Sequence, residues 1–258
     1  MTKIYAIVNQ KGGVGKTTSV INIGAFLADG GRRTLIIDMD PQANATSSLG
    51  INKHEVSQSV YDLLLEESPF ADLLNDHDLP NLMVLPANPA LSGAEVELVN
   101  AIGREYRLQK GLAQTNGRFD YILIDCPPSL GLLTVNALTA ARDGVIIPVQ
   151  CEYLALEGLA QLVQTIELVR KYLNPDLSIR GLMMTMYDGR TNLSREVVEE
   201  VRKHFPGKVF RTIVPRNIRL SEAPSYGQPI SVYAPNSPGA LAYRVLTAEL
   251  VKGDKTHE

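Results

Sequence analysis

The chain has 258 residues, with 25 Lys and Arg against 28 Asp and Glu for a net charge of −3; 45% hydrophobic and 21% charged residues are an ordinary globular composition. This excludes a disordered chain, and two cysteines are too few for a disulfide framework or a four-ligand zinc site. The mild acidity argues against wholesale nucleic-acid binding, no apolar run reaches the ~18 residues of a membrane helix, and the start M-T-K-I-Y-A-I-V-N-Q has no export pattern, so a cytoplasmic protein is expected.

Apolar β-rich runs predict strands at 4–8, 34–37, 82–85, 121–124, 145–149, 179–184 and 209–214. Runs without alternation suit strands buried on both faces. Between them, helical patterns occupy 16–28, 90–102, 132–141, 156–173, 193–204 and 239–251, with Ser194 as a start signal and Asn174-Pro175 as a stop. Strand followed by helix, repeated, predicts an α/β fold: a doubly wound, mostly parallel sheet flanked by helices. No linker or repeat divides the sequence, so 1–258 is expected to form one domain, with a polar tail from about 252.

The first predicted strand runs directly into Asn9-Gln10-Lys11-Gly12-Gly13-Val14-Gly15-Lys16-Thr17-Thr18 and then a helix. Ligands of such sheets bind beyond the C-terminal strand ends. Glycines let the backbone from Gly12 through Val14 to Gly15 wrap a phosphate, with its N–H groups and the helix N-terminus pointing inward. In that P-loop reading Lys16 reaches the β- and γ-phosphates and the Thr17 hydroxyl ligates Mg²⁺, with Thr18 beside it. Gln10 stands where the usual pattern has its first glycine.

The K-G-G-V-G-K-T-T form resembles the deviant Walker A box of the ParA and MinD class of P-loop ATPases. The resemblance implies ATP and Mg²⁺ as cofactors. It also implies that Lys11 crosses a dimer interface to the partner subunit's nucleotide; the alternative is a lysine that neutralises phosphate charge within its own subunit.

The second strand opens into Asp38-Met39-Asp40-Pro41-Gln42, and 121–124 ends in Asp125 before Cys126-Pro127-Pro128-Ser129. A strand-end Asp beside Mg²⁺ holds the ion's waters, and one in the adjoining loop can position an attacking water. In the family the second aspartate of D-x-D-P-Q is the hydrolysis residue, which makes Asp40 the catalytic candidate and Asp38 a metal-shell candidate. Asp125 is the Walker B candidate. Each Asp alone is equally suited to a helix cap or a turn; three at successive strand ends favour a nucleotide site.

The resemblance runs from residue 4 to about 251 and is most specific in NQKGGVGKTT, DMDPQANATSSLG, YILIDCPPSLGLLTVNAL, PVQCEYLALEGL, TMYDGRTNLS and VPRNIRLSEAPSYG. The chain is similar to the chromosomal, Soj-type branch of ParA, the partition ATPases. That implies an ATP hydrolase that forms an ATP-dependent sandwich dimer and binds double-stranded DNA without sequence preference. A ParB/Spo0J-type partner would stimulate its slow hydrolysis, so that chromosome or plasmid DNA is segregated by a nucleoid-associated protein. Expected adenine contacts are Met186 and the turn containing Pro215, Arg216 and Asn217, and Glu152 matches a position that touches ribose across the dimer.

Charge is uneven: residues 180–220 carry nine Lys or Arg against four acids, +5, leaving −8 for the rest. By composition this is a solvated helix face of mixed charge. The resemblance assigns Arg190, Arg216 and Arg219 to the DNA backbone, against surface ion pairs as the alternative for each. A competing reading is a MinD-like or other cargo-positioning ATPase of the same class without DNA binding. Membrane attachment of that kind needs an amphipathic C-terminal helix, whereas the chain ends in L-V-K-G-D-K-T-H-E, so no membrane partner is expected. Cys126 and Cys151 are expected to be small buried thiols rather than cluster ligands.

Overall fold

The computed structural model describes residues 1–66, 68–152 and 155–255. Residues 153 and 154 of the P-V-Q-C-E-Y-L motif and 256–258 of the expected tail lie outside them. In chain order, β1 (Lys3–Ile7) leads into α1 (Lys16–Asp29), β2 (Thr34–Asp38), α2 (Asn44–Ser48), α3 (Val60–Leu65), β3 (Asn75–Asp76) and β4 (Leu82–Leu85). There follow α4 (Leu91–Glu97), α5 (Arg107–Leu112), β5 (Tyr121–Asp125), α6 (Leu132–Ala140), β6 (Val145–Gln150) and α7 (Ala155–Tyr172). Beyond β7 (Ile179–Thr185) lie α8 (Asn192–His204), α9 (Ile218–Glu222), α10 (Ile230–Tyr233) and α11 (Pro238–Lys255).

The seven strands form one sheet in the order β3-β4-β2-β5-β1-β6-β7, parallel except for β3. Side-chain alternation splits each strand between two cores. Ile4 and Ala6 of β1 join Ile122 and Ile124 of β5 on one face with α3, α5, α6 and α7. Tyr5 and Ile7 join Leu123 on the other with α1 and α11. Both faces are therefore covered, which is why the strands read as continuous apolar runs.

Helix α1 crosses the sheet closely at Gly24, where a Cβ would come within 2.7 Å of Ile36 Cδ1. Gly24→Val should therefore destabilise the fold by about 1–3 kcal/mol through overpacking. The measure is a lower denaturant midpoint at unchanged slope; an unmoved midpoint would mean that Ile36 yields without cost.

The predicted strand at 209–214 is not a strand. Lys208 and Phe210 exchange backbone hydrogen bonds with Leu182, and Val214 bonds to Met184, but only isolated bridges result. Between them the Glu249 carboxylate accepts the N–H groups of Arg211 (2.7 Å) and Thr212 (3.1 Å) and the Thr212 hydroxyl (2.8 Å). A carboxylate from α11 thus takes donors that a ladder would need. At α8 the start also differs: Thr191 caps the helix by accepting from Ser194 N, and Ser194 lies inside it.

The polar residues from 252 continue α11 to Lys255. Asp254, 5% exposed, accepts from Tyr5 Oη (2.7 Å), Tyr121 Oη (2.8 Å) and the Arg180 guanidinium (3.1 Å), tying the helix to β1, β5 and β7. Burial, and next the Asp254 hydrogen bond and charge, push both phenols well above the ordinary tyrosine value, so they remain donors.

Candidate functional site

Because β1 lies between β5 and β6, the loop leaving it is flanked by the C-terminal ends of both. Asn9 pins this loop, donating to Pro148 O of β6 (2.7 Å) and accepting Lys11 N (3.0 Å). Thr185, the last residue of β7, donates to Val14 O (2.9 Å). Gly13 and Gly15 hold φ of 73° and 91°, and Gly15 is the residue from which α1 starts. A Cβ on Gly12 or Gly13 would meet nothing within 4 Å, so the loop bounds an open cradle rather than a packed turn.

The two lysines of the loop face different ways. Lys16 is 7% exposed and its Nζ donates to Lys11 O across the loop (3.1 Å). Burial lowers its pKa, while Asp125 foremost, with Cys126 and Asp40, pulls it back up. The Lys11 side chain is 43% exposed, and its Nζ lies 3.8 Å from Glu152 Oε2.

The three aspartates converge on the cradle. Asp38 and Asp125 are direct register partners on β2 and β5, and both are fully buried. Asp125 Oδ2 accepts from the Thr17 hydroxyl (2.7 Å), whereas its Oδ1 is buried and has no hydrogen-bond partner among the described residues. Burial, reinforced by Asp38, pushes the Asp125 carboxyl well above the usual range. A buried, unpartnered carboxylate oxygen beside a threonine hydroxyl and a lysine fits a Mg²⁺–phosphate group, whose ion keeps several waters and needs few protein ligands.

Asp38 accepts Asp40 N on Oδ1 (3.1 Å) and Thr46 N and Oγ1 on Oδ2 (2.8 Å each). Three of about four lone-pair positions are thus taken, leaving one for a water. Burial raises its pKa to about 6 against those bonds. Asp40, 7% exposed, accepts Gln42 N on Oδ1 (2.9 Å), and among the described residues its Oδ2 takes no hydrogen bond.

The remaining candidates rim the same strand ends. Met186 follows β7 in a left-handed conformation, φ 53°. Tyr187 bonds to Val214 and Arg216, which brings the 214–217 turn beside it. Asn217 caps α9 by accepting Arg219 N (3.2 Å), so its carbonyl already has a structural partner. Glu152 stands between Lys11 and Arg216, 3.8 Å from each. Arg190 forks onto Asp188 (2.6 and 2.9 Å) and holds that carboxyl down to about 2, and Arg219 pairs with Glu222 (2.8 Å). All three proposed DNA arginines therefore lie in exposed ion pairs, which are weak in water and readily exchanged for phosphate.

Sequence reasoning passed over Thr46 and Thr185, which anchor Asp38 and the phosphate loop. Thr46 stands in the quoted D-M-D-P-Q-A-N-A-T motif, but only tertiary structure shows its hydroxyl directed at Asp38. Cys126 and Cys151 are free and buried, as expected.

Residues 2–179 match the family described as AAA domain. Sporulation initiation inhibitor protein Soj of Bacillus subtilis is 57% identical over 97% of this chain and 98% of its own. Chromosome partitioning protein ParA of Myxococcus xanthus is 55% identical over 98% of this chain and 89% of its own. Among solved structures, cobyrinic acid a,c-diamide synthase from Mycobacterium smegmatis with bound ADP and magnesium superposes with a TM-score of 0.88 at 41% identity, covering 100% of this chain and 97% of that one.

Proposed function

The chain belongs to the ParA/Soj family of chromosome-partitioning ATPases, and we propose that it is a DNA-segregating ATP switch. ATP is held by the backbone of Gly12, Gly13, Val14 and Gly15 with Lys16, Thr17 and Thr18, and by Met186, Pro215, Arg216 and Asn217 at its adenine end, while Glu152 reaches the ribose across the dimer. Thr17 would hold Mg²⁺, with Asp125 reaching the ion through water and Asp38 in its water shell. The ion supplies charge neutralisation of the phosphates. Lys16 does the same from the protein side, and Asp40 Oδ2 orients the attacking water.

Two subunits close face to face, each Lys11 engaging the opposite nucleotide, and bring together two surfaces carrying Arg190, Arg216 and Arg219. DNA is bound through phosphates, hence without sequence preference and with steep salt dependence. Hydrolysis, slow alone and stimulated by a ParB-type protein, dissolves the dimer, and the protein is cytoplasmic and nucleoid-associated. The Soj and partitioning proteins at 57% and 55% identity favour this reading over the synthase chemistry of the 41% identical structure. No described helix is long and apolar enough to cross a membrane.

The observation that carries the proposal is the outward Lys11, exposed in a loop whose second lysine is buried. Lys11→Ala should bind ATP within a few-fold of wild type yet sediment as a monomer with ATP and fail to retain DNA. A Lys11→Ala protein that still dimerises would refute the cross-subunit role. Wild-type dimers that ignore DNA at low salt would favour the cargo-positioning alternative.

A further inference from the structure

At the opposite end of α1 from the phosphate loop, about 20 Å along the helix axis, a groove of about 420 Å³ opens between α1 and α11. Phe26, Ala248 and Val251 give it apolar walls. Arg32, Arg244, Lys252 and Lys255 surround them, and the Arg244 guanidinium lies 5.5 Å from the Phe26 ring centroid. Among the described residues none of these four cations has a carboxylate within ion-pair distance. Two acids of α11 are engaged elsewhere: Asp254 with Arg180 and two tyrosines, Glu249 with the amides of Arg211 and Thr212.

Lys252 and Lys255 sit in the last turn of α11, where cations offset the helix dipole. That role accounts for neither Arg32 nor Arg244, nor for a concave apolar floor beneath four like charges in a chain of net charge −3. We propose that the groove docks an acidic protein segment that inserts one large apolar side chain against Phe26 and Val251 while its carboxylates meet the surrounding cations. A DNA duplex is too wide to enter a groove of this volume and would leave its apolar floor unused. An acidic segment with an apolar anchor uses both the floor and the charge, as anchored interfaces do. The proposal is independent of the nucleotide reading, since no residue of the groove belongs to that site.

The chain contains no Trp, so the emission of a Glu-Glu-Trp-Glu-Glu peptide reports binding directly. With the full chain, this emission should shift to the blue and saturate. The double variant Arg244→Glu, Lys252→Glu should weaken binding about tenfold or more, because like charges then face each other. Ala248→Phe, which fills the groove and leaves every charge in place, should abolish it. ATP turnover should stay at the wild-type level in both variants, which also verifies folding. Absence of a saturable shift, equal competition by Glu-Glu-Ala-Glu-Glu, survival of binding in Ala248→Phe, or displacement of the peptide by duplex DNA or phosphatidylglycerol vesicles would each overturn the proposal.

Discussion

Replacing Asp40 by alanine is expected to lower ATP turnover about 100-fold or more, the range for loss of a positioned acid–base group, while ATP is still bound. Asp40 lies in the loop after β2, buried, with one oxygen fixed by Gln42 N and the other free of hydrogen bonds among the described residues. The fixed oxygen orients the group and the free one is available to a water. In the proposed mechanism the phosphates are held elsewhere, by the loop of residues 12–17, so affinity for ATP should hold within a few-fold. ATP-dependent dimers and their DNA complexes should then outlast those of the wild type, because the step that dissolves them is removed. The measurement is phosphate release alongside sedimentation, with and without DNA. Equal turnover in variant and wild type would remove Asp40 from the mechanism, and loss of ATP binding would show that the residue supports the cradle instead.

The largest effect on stability is expected at the other end of the sheet. Asp254→Ala leaves Tyr5 Oη, Tyr121 Oη and the Arg180 guanidinium without their shared acceptor. Breaking a buried charge pair by removing one partner costs about 3–5 kcal/mol. In a chain of this length that lowers the melting temperature by about 10 °C. Asp254→Asn keeps an acceptor oxygen and should lose distinctly less. ATP turnover at low temperature should survive in both, since the cluster lies at the strand ends away from the nucleotide. An alanine variant that melts with the wild type would mean that α11 does not need this anchor.

Six of the seven predicted strands stand in the structure because burial on both faces writes itself into the sequence as unbroken apolar runs. Residues 209–214 carry the same signal and fail it, because Glu249, from a distant helix, competes for their N–H groups. The two-residue β3 is too short to leave a pattern. In the site, glycine spacing and strand-end aspartates were legible because each is a local feature. Thr46 and Thr185 were not, since a threonine declares its partner only when the chain brings Asp38 or Val14 to it. The +5 of residues 180–220 was countable, but the pairing of Arg190 with Asp188 and of Arg219 with Glu222 was not. Arg32 and Arg244, from opposite ends of the chain, give no sequence hint of sharing a groove.

The irregular course of residues 208–214 beside β7 bears on how copies of this chain avoid one another. An open sheet edge is a template for a strand from another molecule, and long regular edges invite aggregation. One edge here ends in the two residues of β3, too few to seed a ribbon. Along the other, Lys208, Phe210 and Val214 cover β7 at intervals, while Glu249 holds the amides between them out of line. Neither margin offers an uninterrupted row of donors and acceptors, so a concentrated pool of this protein is guarded against fibrous growth through its sheet.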